Sequence, residues 1–388
     1  MTGPLEGIRV LDLGTRIAAP FCAGLLGEQG ADVVKIEQPR SGDFMREIGP
    51  FEDGYSLFWA VEGRGRRSVT LDLRQAEGQR LFRELAATAQ VVCENFRPGT
   101  LEKWSIAPGD CADHLVWVRI SAFGQDGPNS ARPGLDRVGI GIGGLMHLTG
   151  YPDRPPVRVG VTISDYLTGV FAAHAAAAAL YGGRGAVIDA SLYGASLRVL
   201  EWTLAAYDRL GTVRNREGNR LANSAPLDNY PTADGKHVCI VAGSDANFAR
   251  LCKAMARPEL VDDPRYATLA ERASRSDEIN GVVAEWTSTL PAADVEAACV
   301  AHDVPVATAY SAADIFADAH IDARGDLVVV EDPVLGPVRQ QAPFPRRVGQ
   351  RPEAPTGAPR LGEHTREVLA ELGLDAEAVD RLAADGVI

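Results

Sequence analysis

The sequence predicts an α/β fold built on an open, mostly parallel sheet and followed by a second, smaller α/β unit. Three observations predict it. β-Rich runs alternate with helical patterns from Ile8 to Ser121, the signature of a parallel sheet covered by helices. The strand candidates there are apolar through most of their length, as strands buried on both faces are. The chain of 388 residues also exceeds an ordinary single domain, and strands and helices resume between Val238 and Ala307.

Each element has its own signal. Ile8–Leu13 (IRVLDL) is β-rich and stops at Gly14, Pro20–Glu28 carries a helical pattern ended by Gly30, and Val33–Glu37 (VVKIE) is a second strand. Ser68–Leu73 (SVTLDL), a helix from Gln75 to Thr88, Val91–Glu94 (VVCE) and Leu115–Ser121 continue the alternation. Between Gly124 and Val159 the composition turns to Gly, Pro, Arg and Asp and includes GIGIGG at Gly139–Gly144. A loop-rich stretch that long is usually functional. A helix over Thr162–Tyr181, a short apolar run Ala186–Ala190 and a helix over Leu192–Leu210 follow. Arg214–Pro231 lacks apolar periodicity and reads as a crossing linker. Phe248–Ala256, Asp277–Ser288 and Ala292–Ala301 are helical. Pro343–Pro359 is Pro- and Arg-rich, hence extended, before a last helix from Glu363.

Composition excludes several classes. Apolar residues make up 46% and charged residues 23%, with 40 Gly and 24 Pro, which is ordinary globular usage. The net charge of −13 argues against nucleic acid and anionic membranes as partners. The N-terminus lacks the basic and apolar regions of a signal peptide, so a cytoplasmic protein is expected. The most apolar stretch, Val170–Tyr181, falls short of the roughly twenty residues a membrane span needs and reads as a core helix. The six cysteines are widely spaced, without metal-ligand spacing, and read as buried thiols.

Four features carry chemistry. Gly139, Gly141 and Gly144 formally satisfy the dinucleotide fingerprint, but they do not follow a strand, and the first βα turn, Gly14-Thr15-Arg16-Ile17, has no glycine ladder. A close-packed or flexible backbone is favoured there. Leu57–Trp104 holds eight basic residues against six acidic ones, a local reversal of sign. Several of them, including Arg74, Arg97 and Lys103, lie at the carboxyl ends of predicted strands, where open α/β sheets bind ligands. Asp165 opens an apolar helix just after the glycine-rich stretch. It reads either as a first-turn carboxylate accepting orphan N–H bonds or as a nucleophile toward an activated acyl group. The seven histidines are scattered, with no zinc or serine-hydrolase motif, and His147 and His364 are plausible polar neighbours of a site.

Taken together, the segments resemble the family III CoA-transferases, the CaiB/BaiF family, within the formyl-CoA transferase and α-methylacyl-CoA racemase superfamily. The resemblance runs through PLEGIRVLDLG (Pro4–Gly14), GADVVKIEQPRSGD (Gly30–Asp43), GRGRRSVTLDLRQAEG (Gly63–Gly78), ENFRPGTLEKW (Glu94–Trp104), SAFGQDGP (Ser121–Pro128), GYPDRPPVRVGVTISDYLTG (Gly150–Gly169), ADIFADAHIDARG (Ala313–Gly325) and LGEHTREVLAELGL (Leu361–Leu374).

The resemblance implies a Rossmann-like sheet in a large discontinuous domain, residues 1–205 plus 326–388, a linker over 206–224 and a small domain over 225–318. It implies an interlocked homodimer. It also implies a CoA-transferase in which Asp165 attacks an acyl-CoA carbonyl, forms a mixed anhydride and then an aspartyl-CoA thioester, and passes CoA to a small carboxylic acid. CoA and acyl-CoA are then substrates, and no tightly bound cofactor or metal is implied. Family positions assign CoA contacts to Ile17, Arg40, Leu73, Arg74, Asn95, Phe96, Arg97 and Lys103, and a cover loop with backbone oxyanion donors to Gly141, Gly143 and Gly144. Arg16 and Arg137 are candidates for a distal carboxylate, since Arg pairs carboxylates through two parallel hydrogen bonds.

The departures narrow the substrate. The racemases carry His where Leu135 stands, and Leu135 cannot move a proton. The formyl-CoA transferase type has Gln at Ile17, Arg at Gln38 and a run of glycines where this chain reads SAPLDNY (Ser224–Tyr230), which argues against oxalate and formate. Arg40 stands two residues beyond the missing Arg. An intramolecular CoA-transfer isomerase or a racemase with another proton donor is the second reading, and a non-catalytic acyl-CoA-binding protein the third.

Overall fold

The computed structural model describes residues 3–388. The chain forms two compact units: one runs up to Met146, resumes over Arg158–Asp208 and returns over His320–Ile388; the other comprises His147–Val157 and Arg209–Ala319.

Six strands build the main sheet of the first unit: β1 (Arg9–Asp12), β2 (Asp32–Glu37), β3 (Arg67–Thr70), β4 (Val91–Glu94), β5 (Val116–Ser121) and β6 (Ala186–Ser191). They form one sheet in the order β3-β2-β1-β4-β5-β6, every neighbouring pair parallel. This is the doubly wound order, in which the direction of winding reverses between β1 and β4. Side chains alternate across each strand. Val10, Val33, Val91 and Val118 therefore enter one apolar layer with α1 (Ala18–Glu28), and Leu11, Val34, Val92 and Trp117 enter the other with α2 (Ala76–Ala87). The C-terminal helices Thr365–Glu371 and Ala376–Ala384 complete that second layer through Val368, Leu369, Val379 and Leu382. Hydrogen bonds tie this segment down: Asp72 N–H donates to Val387 O at 2.7 Å and Thr70 N–H to Thr365 Oγ1 at 3.0 Å.

Two readings of the sequence need correction in this unit. The stretch around Gly139–Gly144 is not a loop; it contains α3 (Asp136–Ile142), whose glycines allow close helix packing. A Cβ on Gly139 would come within 2.7 Å of Leu192 Cβ, and one on Gly143 within 2.5 Å of Ser196 Cβ. The helix drawn over Leu192–Leu210 is two, α5 (Leu192–Arg198) and α6 (Thr203–Leu210), because the chain turns at Glu201, whose φ of 55° no right-handed helix accommodates. Between α3 and α5, the 19-residue α4 (Ile163–Tyr181) has the length and apolar composition of a membrane span, but it packs against α1. Gly169 admits Phe21 there, with the Phe21 ring 2.9 Å from where a Cβ would stand.

The second unit holds a three-stranded antiparallel sheet in which His237–Val241 pairs with Leu227–Pro231 and with Val306–Thr308. The supposed crossing linker thus ends in an edge strand. The sheet packs on helices Asp245–Ala254, Ser276–Thr287 and Ala292–Ala301 around Val238, Ile240, Phe248, Leu251, Val283 and Val295. His147–Val157, expected in the large domain, clusters here instead. Gly218 N–H donates to Gly150 O at 3.0 Å, Arg216 to His147 O at 3.0 Å and Asn219 to the Tyr151 hydroxyl at 3.1 Å.

Candidate active site

The winding reversal between β1 and β4 opens a crevice at the carboxyl edge of the sheet, the place where such sheets take ligands. The loops following both strands wall it. After β1 the chain makes a tight turn in which Gly14 is obligatory, since a Cβ would sit 2.6 Å from Pro20 Cδ and 2.8 Å from Ala19 Cβ. Arg16 follows at φ 66°, in the left-handed region. After β4, Asn95 binds that turn on both sides: its Oδ1 accepts from Thr15 N–H at 2.9 Å, and its Nδ2 donates to Thr15 O at 2.7 Å. The preceding Glu94 is fully buried, accepts from Phe96 N–H at 2.7 Å and meets Arg119 at 2.7 Å. Burial outweighs the arginine and raises the Glu94 carboxyl to about 7.

The crevice is a cavity of about 900 Å³ formed within the first unit. Asp165, in the first turn of α4, stands on its wall. The other wall residues include five arginines, Arg16, Arg97, Arg132, Arg137 and Arg158, against only one further carboxylate, Asp136. Asp165 does not cap its helix. That role belongs to Asp136, whose Oδ1 accepts from Ser164 N–H at 2.8 Å and from Ser164 Oγ at 2.9 Å. Among the described residues nothing hydrogen-bonds to the Asp165 carboxylate. Burial first, and the Asp136 charge second, push its pKa up to about 7, while the Arg16 guanidinium pulls the other way. A carboxylate with free lone pairs, raised basicity and cations around it is equipped to attack an electrophilic carbonyl.

Of the residues picked from the sequence, the cavity brings Arg16, Ile17, Asn95, Phe96, Arg97 and Arg137 together with Asp165. Arg40, Leu73, Arg74 and Lys103 are not on its wall; they follow β2, β3 and β4 along the same carboxyl edge. Leu73 is buried in the core, and Arg74 is engaged by Asp72 at 2.8 and 3.0 Å. The oxyanion role of Gly141, Gly143 and Gly144 does not fit this geometry. Gly143 N–H donates to Gly139 O at 2.9 Å and Gly144 N–H to Gly141 O at 3.3 Å, so those donors are spent inside and just beyond α3, and none of the three lines the cavity. Most of the positive segment Leu57–Trp104 serves structure: Arg66 pairs with buried Asp12 at 2.9 Å, Arg64 with Glu28 at 3.0 Å, and Arg67 with Asp32, Glu367 and Glu371. Sequence reasoning missed Arg132, Arg158 and the capping role of Asp136. All three stand in segments rich in turn residues, where no periodicity marks which side chains converge.

An open doubly wound sheet with a free carboxylate and clustered arginines at its switch point defines an α/β protein with a binding cavity suited to an anionic ligand. The comparisons with known proteins make this specific. The family model for CoA-transferase family III matches residues 5–365. The chain belongs to that family and is a CoA-transferase. It is 39% identical over 399 residues to the succinyl-CoA–D-citramalate CoA-transferase of Chloroflexus aurantiacus, covering 99% of this chain and 98% of that one. It is 41% identical over 402 residues to the succinyl-CoA–L-malate CoA-transferase beta subunit of the same organism, covering 100% and 98%. A solved CaiB/BaiF family protein from Brucella suis superposes with a TM-score of 0.85 at 32% identity, covering 96% of this chain and 100% of that one.

Proposed function

We propose that this enzyme transfers CoA from a dicarboxylic acyl-CoA such as succinyl-CoA to a second short dicarboxylic acid, through covalent intermediates on Asp165. The observation that carries this reading is the free Asp165 carboxylate in an arginine-lined cavity, its capping duty taken over by Asp136. The relatives named for citramalate and malate support the acceptor class.

The steps balance without a cofactor. The Asp165 carboxylate attacks the thioester carbonyl, CoA thiolate leaves, and a mixed anhydride forms. The thiolate then attacks the aspartyl carbonyl of the anhydride, releasing the donor acid and leaving an aspartyl-CoA thioester. The acceptor carboxylate attacks that thioester, thiolate departs, and the thiolate finally attacks the acceptor's acyl carbon, freeing product and Asp165. Each step exchanges one activated acyl group for another, so the thioester's energy is kept. Water must be excluded while the anhydride exists. Arg16 and Arg137 receive the distal carboxylate, and the CoA phosphates run from Arg97 toward Lys103, Arg74 and Arg40 along the sheet edge. Leu135 on the cavity wall offers no proton relay, which weighs against racemisation.

The exposed apolar side chains Val170, Phe171, Tyr181, Val187, Leu204 and Tyr207 on the first unit support a homodimer.

The test is a thioester-exchange assay with succinyl-CoA and either citramalate or malate, read by mass spectrometry. Asp165→Ala is expected to abolish exchange, and borohydride or hydroxylamine treatment of the wild type with donor alone should modify the peptide carrying Asp165. Full activity in Asp165→Ala would end the proposal.

A further inference from the structure

We propose that the buried Lys35–Asp43 ion pair is a positioning device that sets Arg16 for the second carboxylate of the acceptor, so that selectivity for dicarboxylic acids is built one layer behind the cavity wall. The inference rests on the function proposed above and deepens it.

Lys35 lies on β2, one strand in from the edge of the sheet, and is a fully buried cation. Its Nζ is 2.9 Å from Asp43 Oδ2 and 3.3 Å from Asp12 Oδ2, and donates to Gly14 O at 2.7 Å. It therefore grips the start of the turn that carries Arg16 and the carboxylate that shapes the rest of it. Asp43 is 3% exposed. Its Oδ1 accepts from Arg16 N–H at 3.0 Å, Thr15 Oγ1 at 3.1 Å and Met45 N–H at 2.9 Å.

These bonds explain two features of Arg16. The first is its backbone: at φ 66° a residue with a side chain sits in a sparsely populated region, and such a conformation persists only where surroundings over-determine it. The Asp43 bond to its N–H supplies that constraint. The second is its side chain. Asp43 also caps the single turn Phe44–Glu47, and the Arg16 guanidinium lies 4.1 Å from the centroid of the Phe44 ring. One carboxylate thus fixes the backbone of Arg16 and the aromatic plate that orients its charge. Arg16 forms no ion pair with a protein carboxylate among the described residues, which leaves its planar fork open to a ligand carboxylate. A buried ion pair is a costly way to stabilise a fold and a better way to specify a geometry.

The test uses ping-pong kinetics, where kcat/KM for the acceptor reports only the second half-reaction. One donor is paired in separate runs with malate and with butyrate, which lacks the second carboxylate. Asp43→Asn is expected to lower the malate-to-butyrate ratio of kcat/KM by roughly 10- to 100-fold, through KM for malate, the range for losing one charge-assisted pair. Arg16→Gln should lower the ratio similarly, and the double variant no further, because Asp43 acts through Arg16. Phe44→Leu, at a half-exposed site that leaves the ion pair intact, should shift the ratio in the same direction, and it serves if Asp43→Asn does not fold. An unchanged ratio in Phe44→Leu and Asp43→Asn, or effects that multiply in the double variant, would overturn the positioning role. An unchanged ratio in Arg16→Gln would overturn it too, while leaving Asp165 chemistry intact; only loss of the Asp165 dependence would remove the proposed function itself.

Discussion

Asp136 caps the helix that Asp165 stands on, accepting from Ser164 N–H at 2.8 Å and from Ser164 Oγ at 2.9 Å. The helix therefore has its acidic cap without using Asp165. The same arrangement places a second negative charge beside the Asp165 carboxylate, which raises its basicity. The helix cap and the free carboxylate are thus two different aspartates, 29 positions apart in the sequence.

The first prediction is a pH profile. On the proposed mechanism Asp165 must be ionised to attack, and its carboxyl is raised to about 7. In the free enzyme kcat/KM should fall as pH drops below about 7, with a single acid limb. The stability effect has the opposite sign. A carboxyl raised on folding is held without penalty while protonated, below its unfolded value, and its ionisation costs stability as pH rises through the folded value. Asp165→Asn should therefore be more stable than the wild type at pH 8, by on the order of 2–4 kcal/mol at most, and the gain should shrink toward acid. Thermal melts at several pH values measure this.

Removing the charge of Asp136 while keeping its acceptor separates its two roles. Asp136→Asn retains an oxygen for Ser164, so the melt should change little. With one negative charge gone, the Asp165 pKa falls and the acid limb moves to lower pH. Asp136→Ala also loses the cap and should cost about 1–2 kcal/mol. Coincident pH profiles for wild type and Asp136→Asn would show that the electrostatic coupling is absent.

The strands of the parallel sheet were legible as β-rich runs alternating with helical patterns, whereas the hairpin Leu327–Asp332 and Gly336–Gln341 was not picked out. Asp165 was picked out through its place in a recognisable segment, and the structure puts it on the cavity wall, although the residues alone left capping and catalysis both open. What the residues could not settle was contact. Gly139–Gly144 reads as a loop from composition, because glycine's low helix propensity is overridden there by packing against Leu192 and Ser196. The arginines at the start of β3 read as an anion patch, and their partners, buried Asp12 and half-exposed Asp32, lie in other strands. Arg158 and Asp136 meet in one cavity only because α3 folds back on α4.

The glycines of α3 give a prediction that tells packing from catalysis. Gly143→Ala would push a methyl within 2.5 Å of Ser196 Cβ and 2.6 Å of Tyr193 O, and should destabilise the enzyme by about 1–3 kcal/mol. Gly141 faces open space inside the helix. Gly141→Ala should be neutral or stabilising by roughly 0.5–1 kcal/mol. A large loss of kcat in a fully folded Gly141→Ala enzyme would restore a catalytic role for this backbone.

Asn95 joins the two loops of the switch point, and its variants should report how far the cavity depends on that joint. Both bonds go to the backbone of Thr15, with Oδ1 accepting at 2.9 Å and Nδ2 donating at 2.7 Å. Asn95→Ala strands both backbone groups and frees the Phe96-Arg97 loop from the turn bearing Arg16. A cost of about 1–3 kcal/mol follows from the unpaired groups, with KM rising for acyl-CoA and acceptor together, since the proposed function has each held by one of the loops. Asn95→Asp keeps the acceptor but sets a carboxylate oxygen against Thr15 O, replacing a bond by repulsion. It should therefore be no better than Ala despite its near-identical shape. If Asn95→Asp matched the wild type in both KM values, the loops would be held by their other contacts, and the joint would not define the cavity.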